Sequence, residues 1–315
     1  MCIFHNEPLA NEYITLMCQI YVYTHEPQGS WKESEGDENA IFPDKHIVRT
    51  SGNDWLFYGD PSAQHYGFDS GFVGIKKSSG ESFQRFEGQK EYARFGDTVN
   101  VSADTKTLAV GSSCYFCKNA VDAGAVFIYQ RPTIDDQFAY QQRIDGERLQ
   151  DDKFGSSVVI STDGLTLGIG AVQGGFGAGA VYIYHRLATD DQFVQHQRID
   201  GDGALDEFGL IMAMGRNGLF MVVAAPYASV GYDDNGSVYI FARKSWLYDF
   251  VEIERFDGGC DGESLGYDGV AIDITETALV IQAKGFSCDD KYVRLYEVSY
   301  VLYAFNRSCP LLPLF

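Results

Sequence analysis

Three carboxylates fall within seven residues, Asp200, Asp202 and Asp206, in the stretch IDGDGALDEFG. Asp257, Asp261 and Glu263 stand at the matching place further along the chain. Calcium takes six to eight oxygen ligands, mainly carboxylate and carbonyl, so these two groups are the candidate cation ligands. Seven cysteines are present: Cys2, Cys18, Cys114, Cys117, Cys260, Cys288 and Cys309. Their odd count and irregular spacing do not read as a disulfide framework. Cys114 and Cys117 form a lone C-x-x-C, and a structural zinc site needs four ligands. A loop thiol pair or a local disulfide is the expected reading. Six histidines (His5, His25, His46, His65, His185 and His196) form no H-x-x-x-H or H-E-x-x-H pattern; His185 and His196 stand where the stretch 55 residues earlier has Gln130 and Gln141 or Gln142, and are expected as surface variation. Gly174-Gly175-Phe176-Gly177 is glycine-rich, but no helix start follows it to cradle a phosphate. No G-x-S-x-G, P-loop or paired-carboxylate signature stands out. The expectation is therefore a chain that is not an enzyme, with no catalytic, cofactor-binding or metal residue assigned and calcium as the one cation to consider.

The formal net charge is −20 over 315 residues. Such a surface repels phosphate backbones and anionic lipid, which excludes nucleic acid as a partner. No apolar run approaches the roughly 18 residues of a membrane-spanning helix. Met1 to Glu12 does not read as a secretory signal. The protein stays inside the cell, or the true start of the gene lies upstream. Sequons occur at Asn100, Asn235 and Asn306; they matter only for a secreted chain.

The elements that position these groups come from an internal repeat. Residues 124–146 read GAVFIYQRPTIDDQFAYQQRIDG and residues 179–201 read GAVYIYHRLATDDQFVQHQRIDG; 15 of 23 positions are identical at an offset of 55. The segment around Val126 recurs at Val181, Val238 and Val293, and backwards at Val73 and near Ile20, spaced 53 to 57 residues apart. A second landmark, Phe-Gly, stands at Phe95-Gly96, Phe154-Gly155 and Phe208-Gly209, with Leu265-Gly266 as a weaker copy. Sixteen residues after each clear Phe comes a small residue: Gly111, Gly170 and Ala224. In the clearest copy the strands are expected at Ser156–Thr162, Leu165–Ala171, Ala180–Arg186 and Phe193–Asp200. Val181 and Ile183 face one way and Tyr182 and Tyr184 the other, so both faces are covered. Thr162-Asp163-Gly164, Asp104-Thr105 and Asn217-Gly218 are hairpin corners. Cys2–His5 and Tyr300–Asn306 would supply the outermost members. The fold class is thus all-β, a single β-propeller over 1–315 of about six four-stranded blades, seven being possible, clearest over 81–257.

At these residues the chain resembles the FG-GAP repeat family, whose repeats build the propeller of integrin α chains. The resemblance rests on the three Phe-Gly pairs and on a Gly-Ala-Pro-like slot at Gly170-Ala171-Val172 and Ala224-Ala225-Pro226, with looser matches at Gly59-Asp60-Pro61 and Gly111-Ser112-Ser113. It covers roughly residues 14 to 298. It implies adhesion or protein interaction, outside the cell or at its surface. It also implies that IDGDGALDEFG is the turn leading from one blade into the Phe-Gly of the next, which is preferred over a cation site. Integrin calcium loops read D-x-D-x-D-G-x-x-D, and Thr162-Asp163-Gly164 is too short for that.

A monomeric binding and adhesion module is the functional expectation, with a protein or glycan ligand. Its surface is one end of the ring, where the longest loops are Ser112–Ala123 and Pro226–Asn235, carrying Tyr115, Phe116, Tyr227 and Tyr232. Two alternatives remain open: a lectin-like propeller using Asp135–Phe138 and Asp190–Phe193, and a glycosidase or lyase using the central channel. The Phe of each Phe-Gly is expected to wedge between neighbouring blades.

Overall fold

The computed structural model describes residues 55–77, 79, 81–113, 124–147, 152–173 and 177–272, with the backbone of strands at 23–25, 31–33, 46–49, 278–283 and 293–297. All regular structure among the described residues is β. β1 (Tyr23–His25) pairs with β2 (Trp31–Glu33). The first full sheet holds β3 (His46–Arg49), β4 (Trp55–Asp60), β5 (Phe72–Lys77) and β6 (Ser82–Glu87). The second holds β7 (Phe95–Val101), β8 (Thr107–Ser112), β9 (Ala125–Gln130) and β10 (Ala139–Asp145). The third holds β11 (Phe154–Ile160), β12 (Thr166–Ala171), β13 (Ala180–His185) and β14 (Val194–Asp200). The fourth holds β15 (Ile211–Met214), β16 (Phe220–Ala225), β17 (Ser237–Ala242) and β18 (Val251–Asp257). In the fifth, β19 (Leu265–Ile272), β20 (Ala278–Ala283) and β21 (Val293–Glu297) pair in order. Within each sheet the strands pair antiparallel in chain order, and isolated parallel bridges from Gly71 to Phe95, Gly124 to Phe154 and Gly179 to Phe208 link one sheet to the next. The strand ends differ by one or two residues from those expected in the clearest copy. Cys2–His5 and Tyr300–Asn306 lie outside the described residues.

Burial is lowest in the fourth strand of each full sheet. β7 and β11 are almost wholly buried, while β10 and β14 are exposed or half-buried along most of their length. First strands of neighbouring sheets contact one another and fourth strands splay outwards, which is the arrangement of propeller blades. The core is divided among the seams between sheets, because each sheet is too thin to bury its own faces. Tyr182 and Tyr184 pack with Val126 and Ile128 of the second sheet. Val181 and Ile183 pack with Val223 and Tyr239 of the fourth. The period-2 alternation of GAVYIYH thus feeds two different cores.

The hairpin corners are set by backbone conformation. Thr105, Gly164 and Gly218 occupy equivalent corners at φ of 57°, 71° and 62°. In the first two copies Asp104 and Asp163 close the corner, each accepting from the amide two residues on.

Candidate functional site

Four repeated contacts build the seams on which any site must sit. The first is the Phe-Gly. Phe154 is 1% exposed and packs among residues of the second and third sheets; Phe95 and Phe208 do the same one seam earlier and one later. Gly96, Gly155, Gly209 and Gly266 all have φ between 85° and 91°, which a side chain resists. The pairing slips there, so the Phe-Gly is a β-bulge that bends the first strand inward. The second contact explains the small residue sixteen positions on. A Cβ on Gly111 would stand 2.2 Å from the Gly155 carbonyl oxygen, and one on Gly170 would stand 2.3 Å from that of Gly209. The two sequence landmarks meet across the seam, the small slot of one sheet against the Phe-Gly of the next.

The third contact is a glutamine clamp. Gln142 on β10 donates to the Phe193 carbonyl at 2.9 Å and accepts from the Phe193 amide at 2.7 Å. Gln84 grips Phe138 and Gln197 grips Phe250 in the same way. The fourth is a buried arginine, Arg131, Arg186 or Arg243, stacked on that same Phe at 4.4 to 4.5 Å. Arg186 donates to the Gly164 carbonyl, to Gln130 and Gln141, and to Thr107 of the preceding sheet. Arg243 reaches back to Thr166 likewise. Burial pulls all three guanidinium groups down to about 10. Sequence reading missed the clamp and the arginine. Their signals were the invariant Gln and Arg of the two 23-residue copies.

These contacts enclose the Phe of each DDQF segment and leave its Asp-Asp-Gln part on the surface. Phe138 and Phe193 are buried under the arginines. Asp136 caps its own turn at Thr133, and Asp191 at Ala188.

The candidate site is the end of the molecule where loops between second and third strands meet the connectors between sheets. Three of these loops are zipped to the connector beside them by backbone hydrogen bonds. Tyr92 and Arg94 donate to Phe68 and Asp69; Leu205 and Phe208 donate to Gly177 and Ala178; Gly262 and Ser264 donate to Asp233 and Asp234. The loops are thereby held as part of the scaffold. They present exposed Tyr66, Phe68, Leu205, Val230 and Tyr232. Phe68 lies parallel to Tyr92, and His65 is edge-on to Tyr66. Tyr227 instead packs locally, edge-on to Tyr267 at 5.8 Å, and burial and Tyr267 push its hydroxyl up to about 12. Tyr115, Phe116, Cys114 and Cys117 lie outside the described residues.

The paired carboxylate groups act as turns. Asp200 pairs with Arg198, and Asp202 with Arg255 of the next sheet. Arg255 also holds Asp257, and Arg198 reaches back to Glu147. Asp261 accepts the Asp233 amide, and buried Glu263 accepts the Gly259 amide. Burial raises Asp206 and Glu207, with Arg255 and Lys153 respectively pulling the other way. Among the described residues no group of three His, Cys, Asp or Glu is placed to hold a metal ion.

Three features singled out in the sequence take up structural places. Asn100 is buried and donates to the Val158 carbonyl; Asn235 is buried and donates to Val230 and Gly258. Both are occupied as structural ties, and Asn306 lies outside the described residues. Cys260 is disulfide-bonded. His185 and His196, expected as surface variation, sit in the seam between the third and fourth sheets. His185 stacks on Trp246 at 4.6 Å, and His196 Nε2 lies 3.3 Å from Asp249.

The fold is one already known. A Bacteroides fragilis protein provisionally named a 6-phosphogluconolactonase superposes with a TM-score of 0.50 at 10% identity, over 80% of this chain and 72% of that one. The Dos1 propeller gives 0.48 at 15% identity, over 87% and 61%. The β-propeller domain of the Trilobed protease from Pyrococcus furiosus gives 0.46 at 9%, over 80% and 69%. At such identities the likeness is of fold alone. The chain matches no family model and no curated protein. The first likeness overturns the expectation that the chain is not an enzyme: its fold also serves a protein named for an enzymatic activity, so missing sequence motifs do not exclude catalysis. Among the described residues no helix is long and apolar enough to cross a membrane.

Proposed function

We propose that this chain is a protein-interaction and adhesion module of the FG-GAP kind, and that the loop-and-connector end is its binding surface. The observation that carries this reading is the set of exposed aromatic and aliphatic side chains, Tyr66, Phe68, Leu205 and Tyr232, on loops whose backbones are tied to rigid seams. Aromatic side chains on a pre-organised surface bind at low ordering cost. We read the ring as about six blades, four of them the full sheets and a fifth begun by β19–β21, with β1–β2 belonging to a further one. The Cys260 disulfide supports an extracellular or cell-surface place, since such bonds persist in oxidising compartments.

Proximity crosslinking in the producing cell, followed by binding measurements with each purified partner, tests the reading. A variant carrying Tyr66→Ser, Phe68→Ser and Tyr232→Ser should keep its melting temperature and lose the partner. Ile134→Ser, at the opposite end, should keep it. A partner bound equally by all three proteins ends the proposal.

A further inference from the structure

The turn joining β17 to β18 departs from its repeat. The equivalent turns read Thr-Ile-Asp-Asp-Gln at 133–137 and Ala-Thr-Asp-Asp-Gln at 188–192, whereas 245–249 reads Ser-Trp-Leu-Tyr-Asp. The scaffold beneath is unchanged: Phe250 is clamped by Gln197 and lies under Arg243 as in the other copies. Seam packing therefore does not require the three apolar residues. They are also open to solvent, Trp246 at 41%, Leu247 at 65% and Tyr248 at 58%.

The surroundings extend the patch. Trp246 is stacked face-on to His185 of the third sheet. His185 pairs across the ladder with Val194, and Leu187 follows two residues later. Val194 is 69% exposed and Leu187 is 70% exposed. Apolar side chains from two sheets thus meet at one seam, with the indole fixed in place by its stack. Isolated exposed apolar residues are ordinary, but a pre-organised group of large ones marks an interaction surface.

The charge around the patch selects the occupant. Asp190, Asp191 and Asp249 are exposed in the same two turns, against Lys244 alone. A second copy of this face would bring like charges together on a chain of net charge −20, which opposes self-association. We propose that the Trp246–Tyr248 turn, with Leu187 and Val194, is a second docking surface, at the opposite end from the first, for a partner segment that interleaves aliphatic or aromatic residues with Lys or Arg. Indole, Leu247 and the phenol ring supply the apolar anchor. The carboxylates steer and orient the basic side chains.

Selection of a random displayed-peptide library against the full chain tests this. The expected pool is enriched in peptides that mix Lys or Arg with Trp, Phe or Leu. Their synthetic versions should weaken at least tenfold against a Leu247→Ser, Tyr248→Ser double variant, which leaves the Trp246–His185 stack in place. They should weaken again on raising the salt, and a Trp246→Ser variant should lose them as well. A pool of acidic or uncharged peptides overturns the proposal. So does a pool no richer than one selected on an unrelated acidic protein, or equal binding by the folded double variant. A concentration-dependent dimer in sedimentation, abolished by the double variant, overturns it in favour of a self-interface.

Discussion

Replacing Gln142 tests the logic of the seams most directly. Its amide makes two bonds to one backbone unit, at 2.9 and 2.7 Å, and so closes both polar groups of Phe193. Gln142→Ala removes both bonds and leaves a part-buried N–H and C=O with only water to turn to. Each neutral bond contributes about 1 kcal/mol net, and an unsatisfied buried group costs about 1–3 kcal/mol, so a loss of about 2–3 kcal/mol is expected. Unfolding entropy of about 2.1 cal/mol/K per residue converts this, for a chain of 315 residues, to a drop in melting temperature of about 3–5 °C. Gln142→Glu sharpens the test. Ionised, the carboxylate still accepts the Phe193 amide but cannot donate to the carbonyl; protonated, it does both. The folded state therefore raises that carboxyl above the ordinary glutamate value of about 4.3. The stabilisation is fully present below that value and is lost as pH rises through the folded pKa. Thermal melts from pH 4 to 8 should show Gln142→Glu approaching wild type in acid and falling behind it at neutrality. A variant that tracks wild type across that range, or an alanine variant with an unshifted melt, refutes the clamp as a source of stability.

Other outcomes follow from the same seams. Arg186→Lys should cost about 2–4 kcal/mol in denaturant unfolding, because one ammonium cannot serve Gly164, Thr107, Gln130 and Gln141 together. Gly111→Ala should cost about 1–3 kcal/mol or more, since its Cβ meets the Gly155 carbonyl oxygen and the sheets must part. Phe154→Ala should cost about 3–5 kcal/mol, and an unchanged melt would count against the wedge. His185 has its pKa lowered by burial and then by Arg243. The unfolded chain thus binds the extra proton first, and stability should fall as pH drops below about 6.5. His185→Gln restores the residue found at Gln130, and should both flatten that acid limb and stabilise by about 1 kcal/mol.

The strand order and the seam wedges could be read from the chain because repetition fixes them twice over. Val181 and Tyr182 alternate within a copy, and the same alternation returns at Val126 and Phe127. The Phe-Gly landmark was also legible as a unit, but its partner was not. Gly111 and Gly155 are 44 positions apart in the sequence and meet only because the sheets stack. The arginines escaped notice for a different reason. Composition places Arg on surfaces, and only the fold encloses Arg131 and Arg186 with Phe and hydroxyl groups. His185 and His196 read as drift from glutamine, whereas each faces a seam where the substitution alters what Arg243 can bond. Asn100 and Asn235 matched a modification motif by spelling while serving as internal ties. Exclusion of enzymatic chemistry went too far, because it relied on local motifs alone.

In each of the three described clamps the glutamine and the phenylalanine backbone it grips belong to successive sheets, in the same order. A 55-residue segment therefore carries one half of a fastener at its leading side and the matching half at its trailing side. Duplicating or deleting such a segment whole leaves every fastener mated, whereas a cut at any other length strands one. Gain or loss of a whole repeat would thus leave this fastener intact, while the turn at 245–249 shows that the decoration of each blade is free to diverge on its own.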